Sequence, residues 1–156
     1  MGNLGCGCSG SMAKVIERPE TTETAQGKAP SELRQWPVQL HLVPPTAPYF
    51  QNADILVCAD CVAFAMGSMH QDLLKGKALA IACPKLDDTT AYVDKLAHIF
   101  SANDIRSITV AIMEVPCCRG LLGLAQDAVA KAKRKVPVKA VTIGIKDGAV
   151  VAEQWV

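Results

Sequence analysis

The 156-residue sequence has no excess of charge of either sign, no long apolar run and no glycine-rich phosphate loop. Sixteen basic residues against fifteen acidic ones leave a formal net charge of +1, with 20% of residues charged. That balance lacks the cationic footprint of a nucleic-acid binder or a polybasic membrane protein. Charged residues interrupt every apolar stretch well short of the roughly 20 residues that a transmembrane helix needs. No nucleic-acid or membrane partner is expected. Neither a G-x-G-x-x-G pattern nor a Walker loop occurs, so nothing supports nucleotide binding. No internal repeat is visible, and the length suits one domain rather than two.

The start lacks a basic segment followed by an apolar one, so no secretory leader is expected. Met1-Gly2 imitates a myristoylation site, but position 6 is Cys rather than Ser or Thr. Leu4-Gly5-Cys6 imitates a lipoprotein cleavage site, with no apolar segment before it to enter a translocon.

What the chain does have is cysteine: Cys6, Cys8, Cys58, Cys61, Cys83, Cys117 and Cys118. The count is odd, and half of the residues are hydrophobic, enough for a core without disulfide staples. The expected setting is a reducing cytoplasm, with the thiols serving as ligands.

Residues 1 to 35 are dominated by Gly, Ser, Thr, Glu, Pro and Ala and show no apolar periodicity from Glu17 to Leu33. They read as a Gly/Cys-containing loop followed by a mobile linker. In Gly5-Cys6-Gly7-Cys8-Ser9-Gly10-Ser11, glycines flanking thiols let backbone amides come close to a bound anion. Residues 36 to 156 read as an α/β cluster-binding domain. Val38 to Val43, Asp54 to Cys58, Ala78 to Ala82, Ser107 to Val115 and Val138 to Ile145 predict strands, several apolar without alternation, as in parallel strands buried on both faces. Lys146-Asp147-Gly148 predicts a tight turn that sends Ala149 to Trp155 back antiparallel along an edge. Asp87 or Asp88 can cap a helix running to about Asn103, with Tyr92, Leu96, Ile99 and Phe100 on one face. A second helix starts near Cys118, turns Leu121, Leu122, Ala125, Ala128, Val129 and Ala132 inward, and stops before Pro137. Shorter helical pieces are expected after Pro45 and Cys61. The pattern predicts a three-layer, doubly wound, mainly parallel sheet of flavodoxin or Rossmann type, edged by a C-terminal antiparallel hairpin.

The cysteines follow these strands. Cys58 and Cys61 come after Ile55-Leu56-Val57, Cys83 after Leu79-Ala80-Ile81-Ala82, and Cys117 and Cys118 after Ile112-Met113-Glu114-Val115-Pro116. In an open parallel sheet the carboxyl ends of the strands share one edge, where ligands bind, so thiols distant in sequence can converge there. Soft thiolates select iron-sulfur clusters, zinc or copper(I), and a four-iron cluster takes four of them. Seven cysteines fall short of the eight that two such clusters would need. One cluster is expected.

Several stretches resemble the 4Fe-4S ferredoxin-type iron-sulfur binding proteins of anaerobic bacteria, in which this domain stands alone or is fused at the C-terminal side of others. They are Gly7-Cys8-Ser9-Gly10-Ser11, Leu33-Arg34-Gln35-Trp36-Pro37-Val38-Gln39-Leu40, Ala59-Asp60-Cys61-Val62, Cys83-Pro84-Lys85-Leu86-Asp87-Asp88 and Met113-Glu114-Val115-Pro116-Cys117-Cys118. The resemblance implies a cluster bound by Cys8, Cys61, Cys83, Cys117 and Cys118, and electron transfer with a redox partner protein. It leaves Cys58 as the weakest candidate. Members commonly carry an N-terminal dicluster module with repeated C-x-x-C-x-x-C motifs, which this chain does not have.

Two other chemistries fit some of the same residues. Cys58-Ala59-Asp60-Cys61 after a strand is the arrangement of a thiol-disulfide oxidoreductase, with Cys58 attacking and Cys61 resolving, although this leaves five cysteines unused. A thiolate zinc site is the other, without the paired C-x-x-C knuckles of zinc fingers. His70 is the imidazole nearest the expected site and reads first as a helix-surface or core residue. His41 and His98 form no catalytic constellation. Lys131 to Lys135 reads as a solvated helix end, or else as a docking point for an acidic partner. Trp36 and Trp155 read as packing residues. A ligating Cys8 would have to return across some 25 linker residues, or reach a neighbouring subunit in a dimer.

Overall fold

Apolar runs without alternation form the centre of the molecule. The computed structural model describes residues 12–17 and 28–156. In chain order the strands are β1 (Lys14–Val15), β2 (Gln35–Trp36), β3 (Asp54–Ala59), β4 (Lys77–Ala82), β5 (Ser107–Met113), β6 (Val138–Ile143) and β7 (Val150–Trp155). The α-helices are α1 (Val62–Ala65), α2 (Tyr92–Ala102) and α3 (Arg119–Lys131), with short 3-10 turns at Pro48–Phe50 and Pro116–Cys118 and a π-helical turn at His70–Leu74.

The main sheet has the order β4-β3-β5-β6-β7, and its first four strands are parallel. Ile55 pairs with Ala78 on one side and Ile108 on the other, so β3 lies in the interior of the sheet. Its residues Ile55 to Ala59 are all buried, the continuous apolar run of a strand covered on both faces. From β3 the chain steps outward to β4, then returns past β3 to β5 and on to β6. Right-handed crossovers in opposite directions place α1 and the 70–74 turn on one face and α2 and α3 on the other. The sequence pattern and the strand order agree on a doubly wound α/β fold with a C-terminal antiparallel hairpin, β6 to β7.

Helical spacing supplies the outer layers. Tyr92, Leu96, Ile99 and Phe100 are buried from α2, and Leu121, Ala125 and Ala128 from α3. Leu122, Val129 and Ala132 pack partly buried against the same core. Each large side chain fully removed from water contributes about 1.5–3 kcal/mol. The hairpin turn closes on Gly148, whose φ of +65° suits glycine, and a Cβ there would fall 2.0 Å from the carbonyl oxygen of Ala65. The turn is thereby seated on the end of α1.

Three details differ from the sequence pattern. Val38 to Val43 makes only one bridge, Gln39 to Ile81, before turning back on itself through the Leu42 and Val43 amides, which both donate to the Gln39 carbonyl. Asp87 and Asp88 do not cap α2, whose N-cap is Ala91 with no side-chain bond. Asp88 accepts from Thr90, and Asp87 accepts from the Cys83 N–H before it and the Tyr92 hydroxyl after it. Residues 31–36 form part of the packed body: Glu32 and Gln35 are buried, and β2 pairs with β1 in antiparallel register. The Gln35 side-chain amide donates to the Leu79 carbonyl at 2.8 Å and accepts the Leu79 N–H at 2.7 Å, closing the free edge of β4 as a strand would.

Candidate functional site

The strand order reverses between β3 and β5, and the chain leaves them in opposite directions. Such a switch point opens a crevice beyond the carboxyl ends of the two strands. The thiols stand around it. Cys61 follows β3 and is exposed, Cys117 and Cys118 follow β5, exposed and buried respectively, and Cys83 ends β4 in a half-buried position. Two turns bring the β4 end against the β5 end: a Cβ built on Gly120, in the first turn of α3, would lie 3.3 Å from Pro84 Cβ. A side chain at position 120 would crowd the Cys83-Pro84 turn, which glycine leaves room for.

Charge links the thiols as well. Burial pushes the Cys118 thiol up, a hydrogen bond with the Met113 backbone offsets part of this, and the nearby Cys117 and Cys61 thiols push it further. Cys58 differs from the others. It sits inside β3, paired with Ile81 and Ala111, and is 1% exposed. Burial, then Asp60 and Cys118, push its thiol up to about 12. A thiol so placed is a small apolar side chain, poorly suited to attack a disulfide. Cys6 and Cys8 lie outside the described residues.

Two carboxylates complete the edge. Asp60, between Cys58 and Cys61, has one carboxylate oxygen buried without a hydrogen-bond partner. Burial and then the neighbouring Asp87 hold its pKa above the ordinary value. Asp87 accepts the Cys83 N–H at 3.0 Å and the Tyr92 hydroxyl at 2.6 Å. Burial and this bond raise Tyr92 in turn, and the His41 ring lies on it with centroids 4.7 Å apart. The sequence pattern missed Asp60, and the helix cap it offered for Asp87 is not formed. A carboxylate that immediately follows a fully apolar strand and sits between two thiols is the signal that points to Asp60.

Other residues fall elsewhere. His70 Nδ1 accepts the Glu32 N–H at 3.0 Å, which ties the crossover to the segment before β2. In the basic run, Lys131 pairs with Asp94, and Arg134 with Asp104 at 3.3 Å, along the α2–α3 pair. Trp155 is exposed on the β7 edge, with Lys139 Nζ 5.9 Å from its ring.

Among the described residues, no three His, Cys, Asp or Glu side chains are arranged to hold a single metal ion. A cluster is held differently, because its irons stand at separate corners and each takes its own thiolate. Thiols at the ends of three adjacent strands fit such a group better than a tetrahedral zinc ion. The β3–α1 turn carries Asp60 and Cys61 where a dinucleotide-binding loop has glycines, and its carboxylate would repel a pyrophosphate.

A doubly wound α/β domain with its ligand edge at the switch point is the class that fold and site define. The chain belongs to the Rossmann-like domain family, whose model matches residues 47–155. An uncharacterized protein of Archaeoglobus fulgidus is 34% identical over 90 residues, 58% of this chain and 63% of that protein. The chain thus spans less than two thirds of that relative's length. No solved structure matches the chain. Among the described residues no helix is long and apolar enough to cross a membrane.

Proposed function

We propose that the protein is an electron carrier that binds one 4Fe-4S cluster through Cys61, Cys83 and Cys117, with Cys118 or Cys8 as the fourth ligand. The observation that carries this reading is the gathering of thiols from three adjacent strand ends around the switch point. When bound, the cluster supplies a one-electron redox centre. The chain's own residues hold it, keep the strand ends rigid and limit access of water from the β3–β5 crevice. The electrons pass to or from a redox partner protein in the cytoplasm, a reducing compartment where free thiols persist.

The direction of β1 supports a role for Cys8. Lys14 pairs with Trp36, and the chain after Trp36 runs toward the carboxyl end of β4, where Gln39 bridges to Ile81. Because β1 is antiparallel to β2, it enters from that same end. Cys8 stands six positions before Lys14, a span of up to about 20 Å for extended chain.

Iron and sulfide analysis of anaerobically purified protein, with visible absorption and electron paramagnetic resonance, tests the reading. About four irons and four sulfides per chain are expected. They should be lost in Cys61→Ser and Cys83→Ser and kept in Cys58→Ser. A colourless, iron-free wild-type protein overturns the proposal.

A further inference from the structure

The two carboxylates at the site differ from the ion-paired acidic residues of the molecule. Asp54, Asp94, Asp104 and Glu153 each pair with a Lys or Arg. Asp60 and Asp87 have no such pairing among the described residues, although Lys85 and Arg119 stand exposed nearby in sequence. Asp60 keeps an unpartnered, buried oxygen beside Cys61, and Asp87 is fixed by the Cys83 N–H at 3.0 Å and the Tyr92 hydroxyl at 2.6 Å.

We propose that Asp60 and Asp87 form a negatively charged rim that sets the redox centre at low potential and thereby requires a strongly reducing electron donor. The inference rests on the cluster reading above. Reduction adds one negative charge to the centre, and fixed carboxylates in a partly dry site oppose that charge far more than they would in water. The hydrogen bond to Asp87 has a second effect. Amide hydrogens directed at cluster sulfurs raise the potential, and the Cys83 amide is already committed to Asp87. Tyr92 acts as a positioning residue, since its hydroxyl holds the Asp87 carboxylate against the turn. The class of reaction that feeds such a centre is one-electron transfer from a reduced low-potential carrier.

A purely structural role for Asp87 makes a different prediction, because Asn keeps an oxygen to accept both hydrogen bonds and removes only the charge. Asp60→Asn, Asp87→Asn and, as a control, Asp88→Asn are compared with wild type by iron content and by potentiometric titration followed by paramagnetic resonance. The first two should keep their iron and move the midpoint potential upward, each by about tenfold in the reduction equilibrium, or about 59 mV for one electron. Asp88→Asn, exposed and bonded only to Thr90, should not move it. Unchanged or lowered potentials in both rim variants with iron retained overturn this inference alone. Loss of iron from Asp60→Asn overturns it as well, since the carboxylate would then be a ligand. Iron-free wild-type protein overturns both this inference and the cluster reading.

Discussion

At the amino ends of the parallel strands, carboxylate and amide side chains find partners within the chain, whereas just beyond the carboxyl end of β3 a carboxylate oxygen does not. Asp54, at the start of β3, accepts Arg106 and Ser107, each at 2.7 Å. Asn103 is buried, donates to the Pro45 and Ile99 carbonyls at 2.8 and 2.7 Å, and accepts from Gln51 at 2.6 Å. Across the sheet, about 20 Å away at the rise of a six-residue strand, an Asp60 oxygen is buried and alone. Phe64 and Leu86 there are 94% and 82% exposed. Buried polar groups are nearly always satisfied; among the described residues the Asp60 oxygen and the Tyr49 hydroxyl lack a partner, and of the two only Asp60 stands among the thiols.

The largest effect expected from this contrast is at Asn103. Asn103→Ala removes three hydrogen bonds and leaves two carbonyls without their donor, which should cost about 2–3 kcal/mol in denaturant unfolding. Iron content should stay at the wild-type level. A variant that loses iron while remaining folded would show that the two ends are not independent.

The fold was legible because its signals are local and redundant. The apolar runs of β3, β4 and β5, the Asp-Gly turn before β7 and the spacing of Tyr92, Leu96, Ile99 and Phe100 each specify an element without reference to the others. Edges and caps were less legible. Val38 to Val43 has strand-forming residues, but the Gln35 side chain takes the Leu79 position on β4, and Pro44 and Pro45 turn the chain away. Asp87 looked like a cap because Asp before a helix usually is one; its bonds to the Cys83 amide and Tyr92 depend on how a loop folds over the sheet. That Cys61, Cys83, Cys117 and Cys118 follow the strand ends was legible from the apolar runs before them. That Cys58 belongs to the core and Asp60 to the site depends on where β3 ends, between Ala59 and Asp60, a boundary that the sequence fixes only within a residue or two.

Cys58 sharpens the comparison from the other direction, as a thiol at the open end that behaves like core. Its folded pKa of about 12 stands above the ordinary 9.0. The folded chain therefore holds its proton where the unfolded chain loses it, so stability is full below pH 9 and falls as pH rises toward 12. Cys58→Val removes that group and should flatten the alkaline limb relative to wild type, measured by urea unfolding with reductant present, at a neutral-pH cost of about 1 kcal/mol or less. An unchanged alkaline limb would mean that Cys58 is more accessible than its place in β3 implies.

The smallest effect belongs to the exposed ion pairs along the helices. Arg134 and Asp104 meet at 3.3 Å with both side chains largely in solvent. Salt and side-chain entropy leave such pairs with about 0–1 kcal/mol. Arg134→Ala should change the unfolding midpoint by about 0.5 kcal/mol or less, an effect that vanishes in high salt, and should leave iron content and midpoint potential unaltered. A shift of potential in this variant would break the comparison, because it would mean that charge on the α2–α3 face reaches the proposed redox centre as strongly as charge at the strand ends does. The two rim carboxylates would then have no special claim on it: distance, burial and the absence of a counter-charge would not be what distinguishes Asp60 and Asp87 from the paired acids elsewhere.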